Sequence, residues 1–262
     1  MTAQSGIPAG ARVRSVAFVF SSGWATFPFL LLWPLILAPR RVVWAIIRRH
    51  IAVQVALLRW VAGIGYEVSG TQNLPDGPCI LASRHESMWE TIFLPWILGN
   101  PVVLLKQEIL RYPVAGPVAR KLGYIGIDRS GDLQAAKRAF DAARDRARDG
   151  RSVLIFPSGT RDPAHRSDVQ GGVAVLYRQL KLPCVPIILN SGEHWLFGSW
   201  MRLPGTIRIE ILPPIPPGLR TAEFMARLEQ AMGRQVQTSS SPAMASVASP
   251  SRRGISESSD FE

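Results

Sequence analysis

Arg84-His85-Glu86-Ser87-Met88-Trp89-Glu90 is entered from a short apolar run, Cys79-Ile80-Leu81-Ala82, and leaves into a helix-like run, Thr91 to Leu98. A histidine at the end of a buried strand, with a carboxylate five residues on, can supply a general base and the group that orients it. On an ideal helix, residues i and i+5 lie about 140° apart and share no face. Contact between His85 and Glu90 therefore requires His85 to precede the helix and Glu90 to lie in its first turn or two. That is the strand-to-helix position where α/β proteins tend to place their sites. Taken alone, the spacing also fits a loop histidine beside an exposed glutamate.

On either side, short apolar runs alternate with helical patterns from Tyr66 onward. The strands expected are Tyr66–Ser69, Cys79–Ser83, Val102–Leu105, Tyr124–Asp128, Ser152–Phe156, Val185–Leu189 and Thr206–Leu212. The helices expected are Trp89–Leu98, Leu133–Asp149, Val169–Leu180 and Ala222–Met232. Such alternation predicts an α/β domain with a mostly parallel central sheet flanked by helices, over residues 66–234. Pro213-Pro214-Ile215-Pro216-Pro217 reads as a stiff connector before the last helix. The tail, 235–262, is Ser-, Ala- and Pro-rich and is expected to be disordered.

Residues 1–65 read differently. No charged residue occurs from Ser15 to Pro39, a run that would cover about 37 Å as a helix against a hydrocarbon core of about 30 Å. Pro28 and Pro34 interrupt it, so a kinked or re-entrant segment fits as well as a straight span. Its length and the Arg40-Arg41 that follows argue against a cleaved signal peptide. Val42 to Ile64 carries Arg48, Arg49 and Arg59, each costing about 2.5–3.5 kcal/mol at mid-bilayer, which disfavours a second span. On a helical wheel Arg41, Arg48 and Arg59 align opposite Val43, Ile46, Val53, Leu57 and Val61. That pattern suits an interfacial helix facing anionic headgroups, and also a core helix with a solvated stripe. The net charge of +11 implies an anionic partner, and the apolar N-terminus favours a membrane surface over nucleic acid. Cys79 and Cys184, the two cysteines, both lie in strand-like runs and read as core residues of a reducing compartment.

Further stretches narrow the chemistry. Lys106-Gln107-Glu108, Pro113, Gly116 and Gly123 lead to Tyr124-Ile125-Gly126-Ile127-Asp128-Arg129; later come Phe156-Pro157-Ser158-Gly159-Thr160-Arg161 and Leu182-Pro183-Cys184-Val185-Pro186-Ile187. In order and spacing these blocks resemble the glycerolipid acyltransferase superfamily, closest to bacterial 1-acyl-glycerol-3-phosphate acyltransferases. The family's blocks are His-x-x-x-x-Asp, Lys-x-Glu…Gly-x-Ile-x-Ile-Asp-Arg, Phe-Pro-Glu-Gly-Thr-Arg and Val-Pro-Ile, and the resemblance covers roughly residues 66–232. It implies acyl transfer from acyl-CoA or acyl carrier protein to a lysophospholipid, with no cofactor. It also implies an N-terminal helical pair set in one leaflet, on the cytoplasmic face of the bacterial inner membrane.

His85 then fits the base for the acceptor hydroxyl, with Glu90 fixing its tautomer. The family has Asp at the position of Glu90, a departure of one methylene. Ser87 reads as a local hydrogen-bonding residue near the helix start. Arg161 is the best candidate for the acceptor's phosphate, since a guanidinium pairs bidentately with phosphate. Gly159 and Thr160 offer close backbone approach and a hydroxyl. Lys106 and Arg129 sit in the block that, by resemblance, lines the same acceptor site. Ser158 replaces the family's acidic residue, and Gln170 stands near where the family often has lysine. His50, His165 and His194 have no spaced partners, so no metal site is expected. Three other functions compete: acylation of another lysolipid such as lyso-ornithine lipid, a catalytically silent lipid-binding protein, and nucleic-acid binding resting on charge alone.

Overall fold

A computed structural model describes residues 9–128 and 133–236. The seven strands are β1 (Ile64–Ser69), β2 (Ile80–Ser83), β3 (Val102–Lys106), β4 (Ile125–Ile127), β5 (Val153–Ile155), β6 (Cys184–Leu189) and β7 (Gly205–Ile211). They form one sheet in the order β1-β7-β6-β2-β5-β3-β4. All neighbours are parallel except β6 and β7, which run antiparallel. The expected α/β architecture is therefore present, with one strand pair reversed. From residue 237 on, the tail expected to be disordered lies outside the described residues, as does Arg129.

Central strands of such a sheet are covered on both faces, so their residues are apolar throughout yet still alternate in direction. Leu81, Leu154, Val185, Ile187 and Leu189 point to one side, where they meet Ile51, Trp89 and Phe93. Ile80, Ala82, Val153, Ile155 and Cys184 point to the other, onto Phe140, Leu176, Tyr177, Phe224 and Leu228. The first side is closed by α2 (Arg40–Leu57) and α3 (Trp89–Ile97). The second is closed by α5 (Leu133–Arg148), α6 (Gly172–Leu180) and α8 (Thr221–Gly233). Two short helices, α4 (Ala115–Lys121) and α7 (Ser191–His194), carry too little periodic pattern to be read from sequence. Gly116 is required in α4 because a Cβ there would run into the Leu110 carbonyl.

Residues 9–62 form a helical hairpin of α1 (Ala9–Leu31) and α2, joined by a 3-10 turn over Trp33–Leu37. Gln54 ties the two together: its Oε1 accepts from Ser22 Oγ at 2.6 Å, and its Nε2 donates to Thr26 Oγ1 at 3.3 Å. Among the described residues, no helix is long and apolar enough to cross a membrane, which corrects the transmembrane reading of Ser15–Pro39. The apolar run is not one helix. Pro28 falls in the last turns of α1 and Pro34 in the 3-10 turn, so the uncharged helical part, Ser15 to Leu31, covers only about 26 Å. The wheel drawn for α2 also shifts. Val43, Ile51, Gln54 and Leu58 are buried, whereas Ile46, Val53 and Leu57 are only half-buried. Core packing against the sheet, not an interface alone, sets that face.

Candidate active site

In parallel neighbours the carboxyl ends of the strands share one edge of the sheet. β2 lies between β5 and β6, so the segments leaving these three strands meet there. His85 follows β2, Phe156 to Arg161 follow β5, and Ser191 follows β6. His85 stands before α3, and Glu90 is the second residue of that helix. Glu90 is fully buried. Its Oε1 accepts from His85 Nδ1 at 3.0 Å and from the backbone N–H groups of Glu86 and Ser87 at 2.6 and 2.7 Å. Its Oε2 accepts from Ser191 Oγ at 2.6 Å, and Ser87 Oγ lies 2.8 Å from both Oε2 and Ser191 Oγ. Ser87 Oγ also accepts from the Trp89 N–H at 3.0 Å, closing the turn into α3. Burial pushes the Glu90 carboxyl up, but the hydrogen bond and charge of His85, with the donors of Ser191 and Ser87, outweigh it. Glu90 consequently ionises below the usual carboxylate range.

An ionised Glu90 only accepts, so the proton between it and the imidazole belongs on His85 Nδ1. Nε2 makes no hydrogen bond among the described residues. The ring stacks on Phe156, with centroids 4.3 Å apart and planes at 23°. Such an imidazole, held in one tautomer and backed by a carboxylate, can take a proton at Nε2. The extra methylene of Glu90 is accommodated, because the carboxylate reaches back from the helix start to both the loop amides and the ring.

Beside this pair opens a cleft of about 290 Å³, lined by Ser87, Met88, Arg161 and the segment Trp195–Ser199. The Arg161 guanidinium lies 5.8 Å from the Phe197 ring centroid, within range of a cation–π contact. Gly159 holds φ +67, a left-handed turn that a side chain would strain. Within that turn Ser158 Oγ donates to the Thr160 carbonyl at 2.8 Å, and Thr160 Oγ1 accepts from the Asp162 N–H at 3.2 Å. Lys106 is not brought to the cleft by any contact; it ends β3 and pairs with Glu108 at 3.3 Å, both side chains being about half exposed.

The family model described as Acyltransferase matches residues 65–190. A 1-acyl-sn-glycerol-3-phosphate acyltransferase of Pseudomonas aeruginosa is 38% identical over 176 residues, covering 66% of this chain and 68% of that protein. The chain belongs to the 1-acyl-sn-glycerol-3-phosphate acyltransferase family. As a member it is an acyl-transfer enzyme. The plant protein of the same name from Limnanthes alba is 32% identical over 163 residues, 61% of this chain and 57% of that one. A lyso-ornithine lipid O-acyltransferase of P. aeruginosa is 31% identical over 196 residues, 67% of this chain and 74% of that one. The crystal structure of the 1-acyl-sn-glycerophosphate (LPA) acyltransferase from Thermotoga maritima superimposes with a TM-score of 0.62 at 20% identity. It covers 85% of this chain and 94% of its own, and shows the shared fold.

Several residues of this candidate site escape a linear reading. Ser191, whose hydroxyl completes the shell of Glu90, follows a wholly buried strand, and that switch from apolar to polar was its only signal. Glu86 is also buried. Its Oε2 accepts from the Gly192 N–H at 3.2 Å, while Oε1 stands 3.9 Å from Arg84 Nη1 and makes no hydrogen bond. Arg84 is committed elsewhere, to the carbonyls of Met232 and Arg234 at the end of α8. Burial therefore dominates and pushes the Glu86 carboxyl up to about 7, against the opposing Gly192 bond and Arg84 charge. A raised carboxyl binds more protons folded than unfolded, so stability falls as pH climbs from the ordinary carboxylate range towards neutrality. Replacing Glu86 with Gln is expected to remove about 1–3 kcal/mol of that decline. Denaturant melts of both proteins at pH 5 and pH 8 check this; parallel pH dependence would rule it out.

His50 lies tilted at 57° against Phe29 with centroids 4.5 Å apart, His165 pairs with Asp168 at 2.8 Å, and His194 Nδ1 bonds the Leu203 carbonyl at 3.2 Å. Each has a local packing role. Cys79 and Cys184 are both buried in the sheet.

Proposed function

We propose that this acyltransferase moves a fatty acyl group from acyl-CoA or acyl carrier protein to the 2-hydroxyl of 1-acyl-glycerol-3-phosphate, giving phosphatidic acid. The observation that carries the reading is the His85–Glu90 contact at 3.0 Å beside a cleft lined by Arg161. His85 Nε2 takes the acceptor's hydroxyl proton as that oxygen attacks the thioester carbonyl. Collapse of the tetrahedral species expels the thiolate, which takes the proton back from the imidazolium. Glu90 holds the ring and offsets its charge while the proton is there. No covalent acyl-enzyme is needed, because the alcohol attacks directly.

In this reading Arg161 receives the acceptor's phosphate, supported by the Gly159–Thr160 turn; Arg129 is assigned to the acceptor by family resemblance alone, and Lys106, paired with Glu108 away from the cleft, is left out of the phosphate contact. The chain works at an anionic membrane surface on the cytoplasmic face of the bacterial inner membrane. Its support is the outer face of α1, where Phe20, Trp24, Phe27 and Leu31 are all more than half exposed, an apolar patch that marks an interaction surface. Pelleting with anionic but not neutral vesicles at low salt checks this part.

Acceptor identity is tested with a lysolipid panel. Arg161→Ala is expected to raise the KM for lysophosphatidic acid about 10–100-fold, the worth of a charge-assisted hydrogen bond of ~1.5–3 kcal/mol. Acceptors without a phosphate should change little. Equal loss on both classes would remove Arg161 from phosphate recognition. The lyso-ornithine lipid reading is favoured by the named relative and by Ser158 standing where the family has an acid; preferred turnover of that acceptor would establish it.

A further inference from the structure

We propose that the loop from Trp195 to Arg202 positions the acceptor in the cleft, and that the first helix holds this loop in place through Ser15 and Phe18. The proposal rests on the reading of the Arg161 cleft as the acceptor site. Trp195 to Ser199 line that cleft together with Ser87, Met88 and Arg161. The loop leaves α7, whose first residue, Ser191, bonds Glu90. The same short element thus carries the cleft loop and a hydroxyl that holds the Glu90 carboxylate of α3.

The loop is a built object. Its ends pair as an antiparallel bridge, Trp195 with Arg202, and the Leu203 N–H donates to the His194 carbonyl at 2.8 Å. The Arg202 guanidinium lies 3.6 Å over the Trp195 ring and donates to the Met201 carbonyl at 3.0 Å. The Met201 N–H donates to Ser199 Oγ at 3.1 Å. Arg202 is buried, and among the described residues its guanidinium meets carbonyls and the Trp195 ring, with no ion pair to a carboxylate. A buried arginine spent on an aromatic face and carbonyls costs stability, which a loop of no consequence would not require. At the tip Gly198 turns at φ +69, and Phe197, half exposed, covers Arg161.

The first helix contributes the fastening. Only Ala11, Ser15 and Phe18 of α1 are buried, and two of these three meet the loop. Ser15 Oγ accepts from the Arg202 N–H at 2.9 Å and lies 3.1 Å from the Arg202 carbonyl, while Phe18 meets the Trp195 ring edge-on at 6.2 Å. Trp195 in turn packs on Phe93 of α3, with centroids 6.5 Å apart. A fully buried serine hydroxyl is tolerated only when bonded, and the partners of Ser15 are the loop and its own helix. The hairpin therefore sets the geometry of the acceptor wall as well as offering an apolar outer face. Ser15 and Phe18 are positioning residues; Phe197 touches the acceptor side directly.

The test uses the full chain in detergent, with lysophosphatidic acid and oleoyl-CoA as probes. Phe197→Ala is expected to raise acceptor KM about 3–30-fold, the range of a cation–π contact, with donor KM and kcat within about two-fold. Ser15→Ala is expected to move acceptor KM the same way. In a double-mutant cycle Phe197→Ala should add little on top of Arg161→Ala. The proposal is overturned if neither single variant changes acceptor KM, or if acceptor KM, donor KM and kcat all shift together. If Arg161→Ala raises acceptor KM while the loop variants do not, only the loop proposal fails. If the loop variants raise it and Arg161→Ala does not, the phosphate role of Arg161 fails and the loop remains. Should Ser15→Ala not fold, Phe197→Ala, on an exposed tip, still decides.

Discussion

His85→Ala is expected to lower kcat by about 10²–10⁴ while leaving the fold intact, the usual worth of a positioned general base. The ring is a cap over Phe156 at the mouth of the site, not a keystone of either core cluster, so the melting temperature should fall little. Glu90 keeps its two backbone donors and two serine hydroxyls in the variant, so the buried charge is not stranded. Initial rates at saturating lysolipid and acyl-CoA are the measurement, with acceptor KM as the control for binding. Activity retained within a few-fold would take the imidazole out of the mechanism.

Substitution of Glu90 should act on both rate and stability. Glu90→Gln keeps the shape: an amide carbonyl can accept from His85 and the two backbone N–H groups, and its NH2 can meet Ser87 and Ser191 by rotating their hydroxyls. What it loses is the charge that stabilises a protonated imidazole, so kcat is expected to fall ~10²-fold or more. Glu90→Ala leaves buried donors without a partner and should also cost about 3–5 kcal/mol in stability, read by denaturant unfolding. Because the folded carboxyl is held below its ordinary range, its stabilisation is complete above the unfolded pKa. It is lost as pH falls through the lower folded one. Glu90→Gln should therefore flatten the acid limb of the stability profile. Glu90→Asp keeps the charge and the family's residue type, and its rate should lie between those of the wild type and Glu90→Gln. Full activity in Glu90→Gln would show that the contact is structural alone.

Much of this was legible along the chain because it is local. A strand ending at Ser83, a helix beginning at Trp89 and a histidine between them follow from apolar periodicity, and they allow the His85–Glu90 contact that the structure shows. The four blocks at family spacing carried the acyl-transfer chemistry in the same way. For the apolar run of α1, composition left a straight span and a kinked segment both open; the structure ends the helix at Leu31, before Pro34, and so removes the straight span. Nor did α2 betray that it packs on the sheet, because a half-apolar helix suits water, headgroups or a core face equally.

Residue order alone decided which elements form and which side chains could do proton chemistry; both depend on neighbours within a few positions. Tertiary structure alone decided what shares the site. Ser191 meets Glu90 across 101 positions and Ser15 meets Arg202 across 187. Such contacts depend on β2 lying between β5 and β6 and on β7 returning antiparallel. Strand order is chosen by the packing of whole faces, a collective energy that no short stretch encodes.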